Sequence, residues 1–222
     1  MNSPRWSYSK IKAFNTCPRQ YYNVSVLNRY PKEDTAATLY GTEFHLAAEN
    51  FIESGTPLEP RFKFAEPALT TLRNMKGDKL CEYEMGLTEE HEPCGMKNPN
   101  AWWRGIADLI ILNGTEARVV DYKTGASAKY ADPGQLELMA MAVFKHFPQV
   151  LTIKAGLMFV VANAFIREVY AADRQSELWA KWLGEYKKFE KAHSTGVWNP
   201  KSSGLCRKHC PVLECEHNGK ND

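Results

Sequence analysis

Two carboxylates and an ammonium, Asp108, Asp121 and Lys123, lie in the stretch Trp103 to Gly125, WRGIADLIILNGTEARVVDYKTG. Two runs of β-branched and aliphatic residues flank Asn113-Gly114 there, the strongest short-range signal for a two-residue type I′ hairpin. That turn sets Leu112 opposite Thr115, Asp108 opposite Val119 and Asp121 opposite Ile106. Alternation along a strand then sends Asp108, Asp121 and Lys123 to one face, with the two aspartates as diagonal neighbours about 7–8 Å apart between backbones. Two carboxylates about 5 Å apart at an effective dielectric near 20 repel by roughly 3 kcal/mol, so a half-buried pair needs a cation. Lys123 supplies only part of that charge, and a hard divalent ion with oxygen ligands, Mg²⁺ or Mn²⁺, is the natural occupant. The alternative is a sheet surface on which Asp121 and Lys123 form an ion pair worth about 0–1 kcal/mol. Acidic residues are depleted in strand interiors, and two on one face favour the metal.

Other elements must hold this hairpin in place. Residues 7–22 read as a short helix capped by Ser7 or Ser9 and ended by Pro18, with Ile11 and Phe14 turned inward and Cys17 at its exit. Residues 38–53 read as an amphipathic helix with Phe44, Ala47, Ala48, Phe51 and Ile52 as its core stripe. His45 lies beside that stripe, where a lone histidine reads as a boundary residue. Residues 54–80, broken by Gly55, Pro57, Pro60, Pro67 and Gly77, read as an excursion with one or two helical turns. A strand over 81–88 places Glu82 and Glu84 on one face, and whether either reaches the same metal depends on this strand lying beside the hairpin and is open at this point. Residues 89–100 read as a loop. After the hairpin, Asp132-Pro133 caps a helix with the stripe Leu136, Met139, Ala140, Val143, Phe144 and Phe147, and Gln135 stands in its first turn outside the stripe. Strands over 151–161 and 164–170 extend the sheet. A last helix over 174–193 turns Leu178, Trp182, Tyr186 and Phe189 inward and leaves its lysines solvated.

A chain of 222 residues is long enough to bury a full core, and its formal charge of +2 excludes a uniformly basic, histone-like molecule. No run approaches 18 apolar residues and the start, MNSPRWSYSK, lacks the apolar stretch of an export signal, so a soluble, intracellular protein is expected. Without export, six cysteines argue for metal or redox chemistry over a disulfide framework. Cys206, Cys210 and Cys215 crowd into an irregular segment rich in Gly and Pro that has too little apolar content to hold itself, and they read as a ligand cluster. Cys17 taken alone reads as a buried structural thiol.

In their order and separation, GTEFH (41–45), GIADLI (105–110), DYK (121–123) and Gln135 resemble the motifs of the PD-(D/E)XK nuclease superfamily. The one-plus-three layout of Cys17 with Cys206, Cys210 and Cys215 is similar to that of its RecB-like branch with a C-terminal iron-sulfur cluster, which includes CRISPR-adaptation, AddB-type and phage exonucleases. The resemblance implies an α/β fold: a restriction-endonuclease-like core with a mixed central β-sheet flanked by helices, plus a cysteine-clamped C-terminal segment. It implies a single domain over 1–222, with 1–30 and 195–222 brought together by the cluster. By the same resemblance His45, Asp108, Asp121 and the backbone carbonyl of Tyr122 bind Mg²⁺ or Mn²⁺, Lys123 orients or activates the attacking water, and Gln135 supports the site or the scissile phosphate. The four cysteines then hold a 4Fe-4S cluster, with structural zinc as the alternative, which leaves Cys81 and Cys94 as free thiols.

The implied activity is metal-dependent exonucleolytic hydrolysis of DNA in recombination, repair or phage DNA metabolism. The implied setting is the cytoplasm of a bacterial, archaeal or phage-infected cell, with no membrane. DNA with a free end or a single strand is the expected partner, beside a recombination or repair protein. A non-catalytic DNA-end-binding scaffold of the same fold and a structure-specific endonuclease are the competing readings. Two features depart from the family pattern. Met139 stands where a tyrosine often follows the glutamine, and the cysteine spacing is C-x3-C-x4-C, with His209 where a middle cysteine is commoner.

Overall fold

The computed structural model describes residues 3–31, 33–129 and 131–219. In chain order its helices are α1 (Tyr8–Thr16), α2 (Pro18–Tyr21), α3 (Ala36–Ser54), α4 (Glu66–Asn74), α5 (Gly134–His146) and α6 (Gln175–Thr195). Its strands are β1 (Asp78–Leu87), β2 (Pro93–Cys94), β3 (Trp103–Asn113), β4 (Glu116–Lys123), β5 (Thr152–Phe159) and β6 (Ala164–Ala171). The chain divides into two compact units, one formed by Met1–Glu33 with Lys181–Asp222 and the other by Asp34–Ala180. No described helix is long and apolar enough to cross a membrane.

The unit Asp34–Ala180 is a mixed sheet flanked by helices, with strand order β2-β1-β3-β4-β5-β6. Every neighbouring pair is antiparallel except β4 and β5, which are parallel. A parallel pair needs a crossover, and α5 supplies it between those two strands. Asp132 starts this helix by accepting a hydrogen bond on Oδ1 from the Gly134 N–H at 2.9 Å. The helix is buried on more than its expected stripe, since Leu138, Met141 and Ala142 are buried along with Leu136, Met139 and Val143. A crossover helix enclosed on several sides has no polar face for periodicity to mark. On α3, Thr35 and Thr38 form a reciprocal capping box, and Gly55 closes the other end at φ +76°. Phe44, Ala48, Phe51 and Ile52 of α3 and Leu69 and Leu72 of α4 share one core with Leu109 and Ile111 of β3 and Val120 and Tyr122 of β4.

The hairpin between β3 and β4 differs from its expected form by one residue. Asn113 pairs with Glu116 and Leu109 with Val120, so the two turn residues are Gly114 and Thr115. Gly114 has φ +63°, while neither Asn113 nor Thr115 has a positive φ, which excludes type I′ on Asn113-Gly114. Glycine at the first central position is the pattern of a type II′ turn, which serves the same strand twist. Moving the turn by one residue shifts the cross-strand register by two, so every side chain keeps its face. Continued along the strands, that register sets Asp108 directly opposite Asp121. The strand expected from Cys81 begins earlier, at Asp78, and the expected loop after it contains the short strand β2, paired through Gly86 and Cys94.

In the unit formed by the two chain ends, Ser7 caps α1 by accepting from the Lys10 N–H at 3.4 Å, and Ile11 and Phe14 are buried. Pro18 does not end helical structure as expected. It occupies the first turn of α2, where its missing N–H costs nothing, and π-helical turns continue over Tyr22–Val26. Phe14, Tyr21 and Phe189 pack edge to face at centroid separations of 5.4–6.2 Å, and Trp198 stacks on Tyr22 at 4.9 Å.

A candidate metal centre at the end of the hairpin

The ladder between β3 and β4 stops at Leu109 and Val120, one position before the two aspartates. There Asp108 takes over the backbone's role, its Oδ2 accepting the Tyr122 N–H at 2.7 Å. The strands part at this point and leave both carboxylates side by side. They are nearly enclosed, with Asp108 8% and Asp121 5% exposed.

His45 approaches from α3, whose fully buried Phe44 anchors that turn of helix edge-on against Tyr122 at 5.9 Å. His45 itself packs edge-on against Tyr122, and its Nδ1 lies 3.5 Å from both Asp108 Oδ2 and Glu82 Oε1. Glu82 belongs to β1, where it faces Asp108 in a register that runs from Asp78–Leu112 to Leu87–Trp103 but leaves this one pair unbridged. Its φ is +44°, a left-handed conformation that costs a side-chain-bearing residue of order 1–3 kcal/mol. One ligand atom from each of His45, Glu82 and Asp108 lies within 4.8 Å of the other two, and among the described residues they are the only trio of such donors. The neighbouring Glu84 stands near Lys97 instead, at 3.9 Å.

On the other side of Asp108 the expected residues also converge. Gln135, from the first turn of α5, donates through Nε2 to Asp121 Oδ1 and accepts on Oε1 from Lys123 Nζ at 3.0 Å. Lys123 Nζ is also 2.6 Å from Asp121 Oδ2, an ion pair that holds the ammonium against the buried carboxylate. His45, Asp108, Asp121, Lys123, Gln135 and the backbone of Tyr122 thus occupy one region, and Glu82 adds to it.

The electrostatics of this cluster follow from burial. Desolvation, and after it the charge of Asp121, pushes the Asp108 carboxyl up to about 7, against the opposing pull of His45 and the Tyr122 N–H. Asp121 is also pushed up by desolvation, with Lys123 and Gln135 acting to hold it down. Burial works against the imidazolium of His45, but its hydrogen bond to Glu82 and the charge of Asp108 outweigh that and leave its pKa raised. These are the signs of excess negative charge in a poorly solvated space, which a cation relieves. The Tyr122 hydroxyl is buried without a hydrogen-bond partner, and desolvation raises its pKa.

A second group of candidates lies in the unit formed by the chain ends. Cys17, Cys206, Cys210 and Cys215 line one small cavity there. The Lys201 N–H points at Cys17 Sγ and the Ser203 N–H at Cys206 Sγ, each at 3.4 Å. Burial raises the pKa of Cys210, and the charges of the other three add to it. His209 is exposed and does not line the cavity.

A sequence-family model of the PD-(D/E)XK nuclease superfamily matches this chain over residues 5–84 and 70–215. No curated protein matches it in sequence. Among solved structures it is similar to a protein of Eubacterium rectale given the provisional name of exonuclease, with a TM-score of 0.56 and 14% identity over 96% of this chain and 90% of the other. It is similar also to SSO0001, with a TM-score of 0.50 and 14% identity over 98% of this chain and 89% of the other. At such identity these likenesses speak for the fold.

Proposed function

Since the chain belongs to the PD-(D/E)XK nuclease superfamily, we propose that it is a divalent-metal-dependent DNA exonuclease of recombination, repair or phage DNA metabolism. The observation that carries this reading is the trio His45, Glu82 and Asp108, with donors within 4.8 Å of one another beside Asp121 and Lys123. The donor set suits a hard cation, since carboxylate oxygens dominate it and Asp108 and Asp121 are both nearly buried. His45, Glu82, Asp108 and Asp121 are the residues to hold Mg²⁺ or Mn²⁺, with the backbone carbonyl of Tyr122 completing the set. When bound, such an ion supplies a more nucleophilic water and neutralises charge building on the phosphoryl oxygens.

The chain's own residues do the positioning. Asp108 fixes the parted strands through the Tyr122 N–H, so the two carboxylates keep their spacing. Gln135 braces Asp121 and Lys123 at once, which limits the swing of the lysine side chain. Lys123 is about one-third exposed and lies at the open side of the cluster, where its ammonium can orient an attacking water or meet a phosphate oxygen.

The test is digestion of end-labelled single- and double-stranded DNA in Mg²⁺ or Mn²⁺. Progressive shortening is expected, with circular DNA left intact and the activity abolished in Asp121→Ala and Lys123→Ala. Undiminished digestion by those variants would sink the assignment, and cutting of circles would make the enzyme an endonuclease.

We further propose that Cys17, Cys206, Cys210 and Cys215 hold a 4Fe-4S cluster of structural role. No three of these thiols lie within 4.8 Å of one another. Around a tetrahedral zinc with Zn–S near 2.3 Å the sulfurs would be only about 3.8 Å apart. The backbone N–H groups aimed at Cys17 and Cys206 suit thiolate ligands in either case.

A further inference from the structure

The sheet face opposite to Asp121 ends in a groove of about 560 Å³ over β4, β5 and β6. The pairing registers lay out its floor. Arg118, Lys154 and Val169 form one row across the three strands, Val120, Gly156 and Arg167 the next, and Tyr122, Met158 and Phe165 the third. Gly156 has a direct purpose there, because a Cβ on it would stand 2.2 Å from Phe165 Cζ, and its absence lets the ring lie against the backbone. The Arg167 guanidinium sits 5.2 Å from that ring. Phe64, Leu72 and Met75 form the opposite wall. Apolar surface is left in water along it, with Val169 66%, Phe64 49% and Phe165 40% exposed. The last strand of the sheet, β6, borders the groove with one backbone edge outside the ladder.

We propose that the groove and the β6 edge dock an extended acidic segment of a protein partner. On the face it turns to the groove, apolar side chains fill the groove and carboxylates meet Arg167, with Arg118 adding positive charge farther in, while every other side chain points away. An added strand gains main-chain hydrogen bonds from an edge, while every second side chain reads the pockets beside it. Three cations line the groove against Glu168 alone, so the rim favours an acidic guest. Lys154 contributes least, since its Nζ is held by Glu116 at 2.9 Å. Single-stranded DNA suits the groove less well: beside Phe64, Phe159 and Phe165 most of the lining is aliphatic, with Leu72, Met75, Val120, Val160 and Val169 offering no stacking face, and Glu168 would repel phosphates. A second copy of this chain suits it less well too. A two-fold antiparallel pairing of β6 with itself about its centre sets Arg167 or Glu168 against its own copy, a like-charge contact.

Fluorescence anisotropy tests the proposal on the full chain. The probe is a fluorescein-labelled peptide of about ten residues in which leucine and glutamate take turns at every second position, with serine between them. A leucine-lysine peptide and an oligothymidylate of similar length are the comparisons. The acidic peptide is expected to bind with an affinity that falls as salt is added, and the two comparisons are expected to leave the groove empty. Arg167→Glu, Arg118→Glu and Val169→Glu are each expected to weaken it about tenfold, while circular dichroism and DNA digestion stay as in the unsubstituted protein. The readout is binding, so it stands apart from the nuclease assignment. Absence of acidic-peptide binding, binding that the three variants leave unchanged, or oligothymidylate as the ligand those variants release would each overturn the proposal.

Discussion

Asp108 and Asp121 share a space that almost excludes water, and what they lack is positive charge. The Asp108 carboxyl, ordinarily near 3.8, is pushed up to about 7, so between those values the folded protein holds a proton that the unfolded chain has released. Stability of the metal-free protein therefore falls as pH rises through that window. His45, raised above 6.5, adds stability below its unfolded value and loses it as pH climbs, so both groups act in the same direction. A divalent cation must displace these protons to bind, which makes its benefit largest where they are already gone. The rise in melting temperature on adding Mn²⁺ is accordingly expected to be larger at pH 8 than at pH 5.5. Glu82→Gln keeps the size of the side chain and removes its charge, and about tenfold weaker Mn²⁺ binding is expected by calorimetry. An equal rise at both pH values, or unchanged affinity in the variant, would remove Glu82 and Asp108 from the ligand set. The left-handed backbone of Glu82 gains a reason in this setting, since strain at a strand interior persists where the surroundings hold it in place.

The elements that carry these residues are pinned at their far ends as well. Gly77, just before β1, has φ +123°, and a Cβ there would come within 2.2 Å of the Leu112 carbonyl oxygen of β3. Gly77→Ala is expected to cost about 2–4 kcal/mol of unfolding free energy in urea, by backbone strain and by levering β1 off β3. Gly95→Ala, where an added Cβ meets nothing within 4 Å, is the control and is expected to stay within about 0.5 kcal/mol. The shared face of Asp108, Asp121 and Lys123 was legible because a two-residue register shift preserves parity. Their separation was not, since Gly114-Thr115 and Asn113-Gly114 are both acceptable turns locally and only the pairing of whole strands decides between them. Glu82 was left undecided for a similar reason. Its approach to Asp108 depends on β1 lying beside β3, a contact between segments that no local periodicity encodes. Gln135 and His45 are equally silent as isolated side chains, and family resemblance singled them out where periodicity placed them off the apolar stripes.

For the whole molecule, the unit built from Met1–Glu33 and Lys181–Asp222 has the thinner means of support, with an aromatic cluster and a cysteine-lined cavity in place of a sheet. If the cavity holds a cluster, anaerobically purified protein should be brown with about four irons per chain, and Cys17→Ser should lose the iron and open residues 196–219 to limited proteolysis. Colourless protein with one zinc per chain would refute that. The same arrangement bears on how the chain is made. During synthesis Asp34–Ala180 has all its strands in hand before the last stretch leaves the ribosome, whereas Trp6, Phe14 and Tyr21 emerge first and must wait for Tyr186 and Phe189. The earliest aromatic residues thus spend the longest time uncovered, and a chain broken off by premature termination would display them to chaperones and proteases as a mark of its incompleteness.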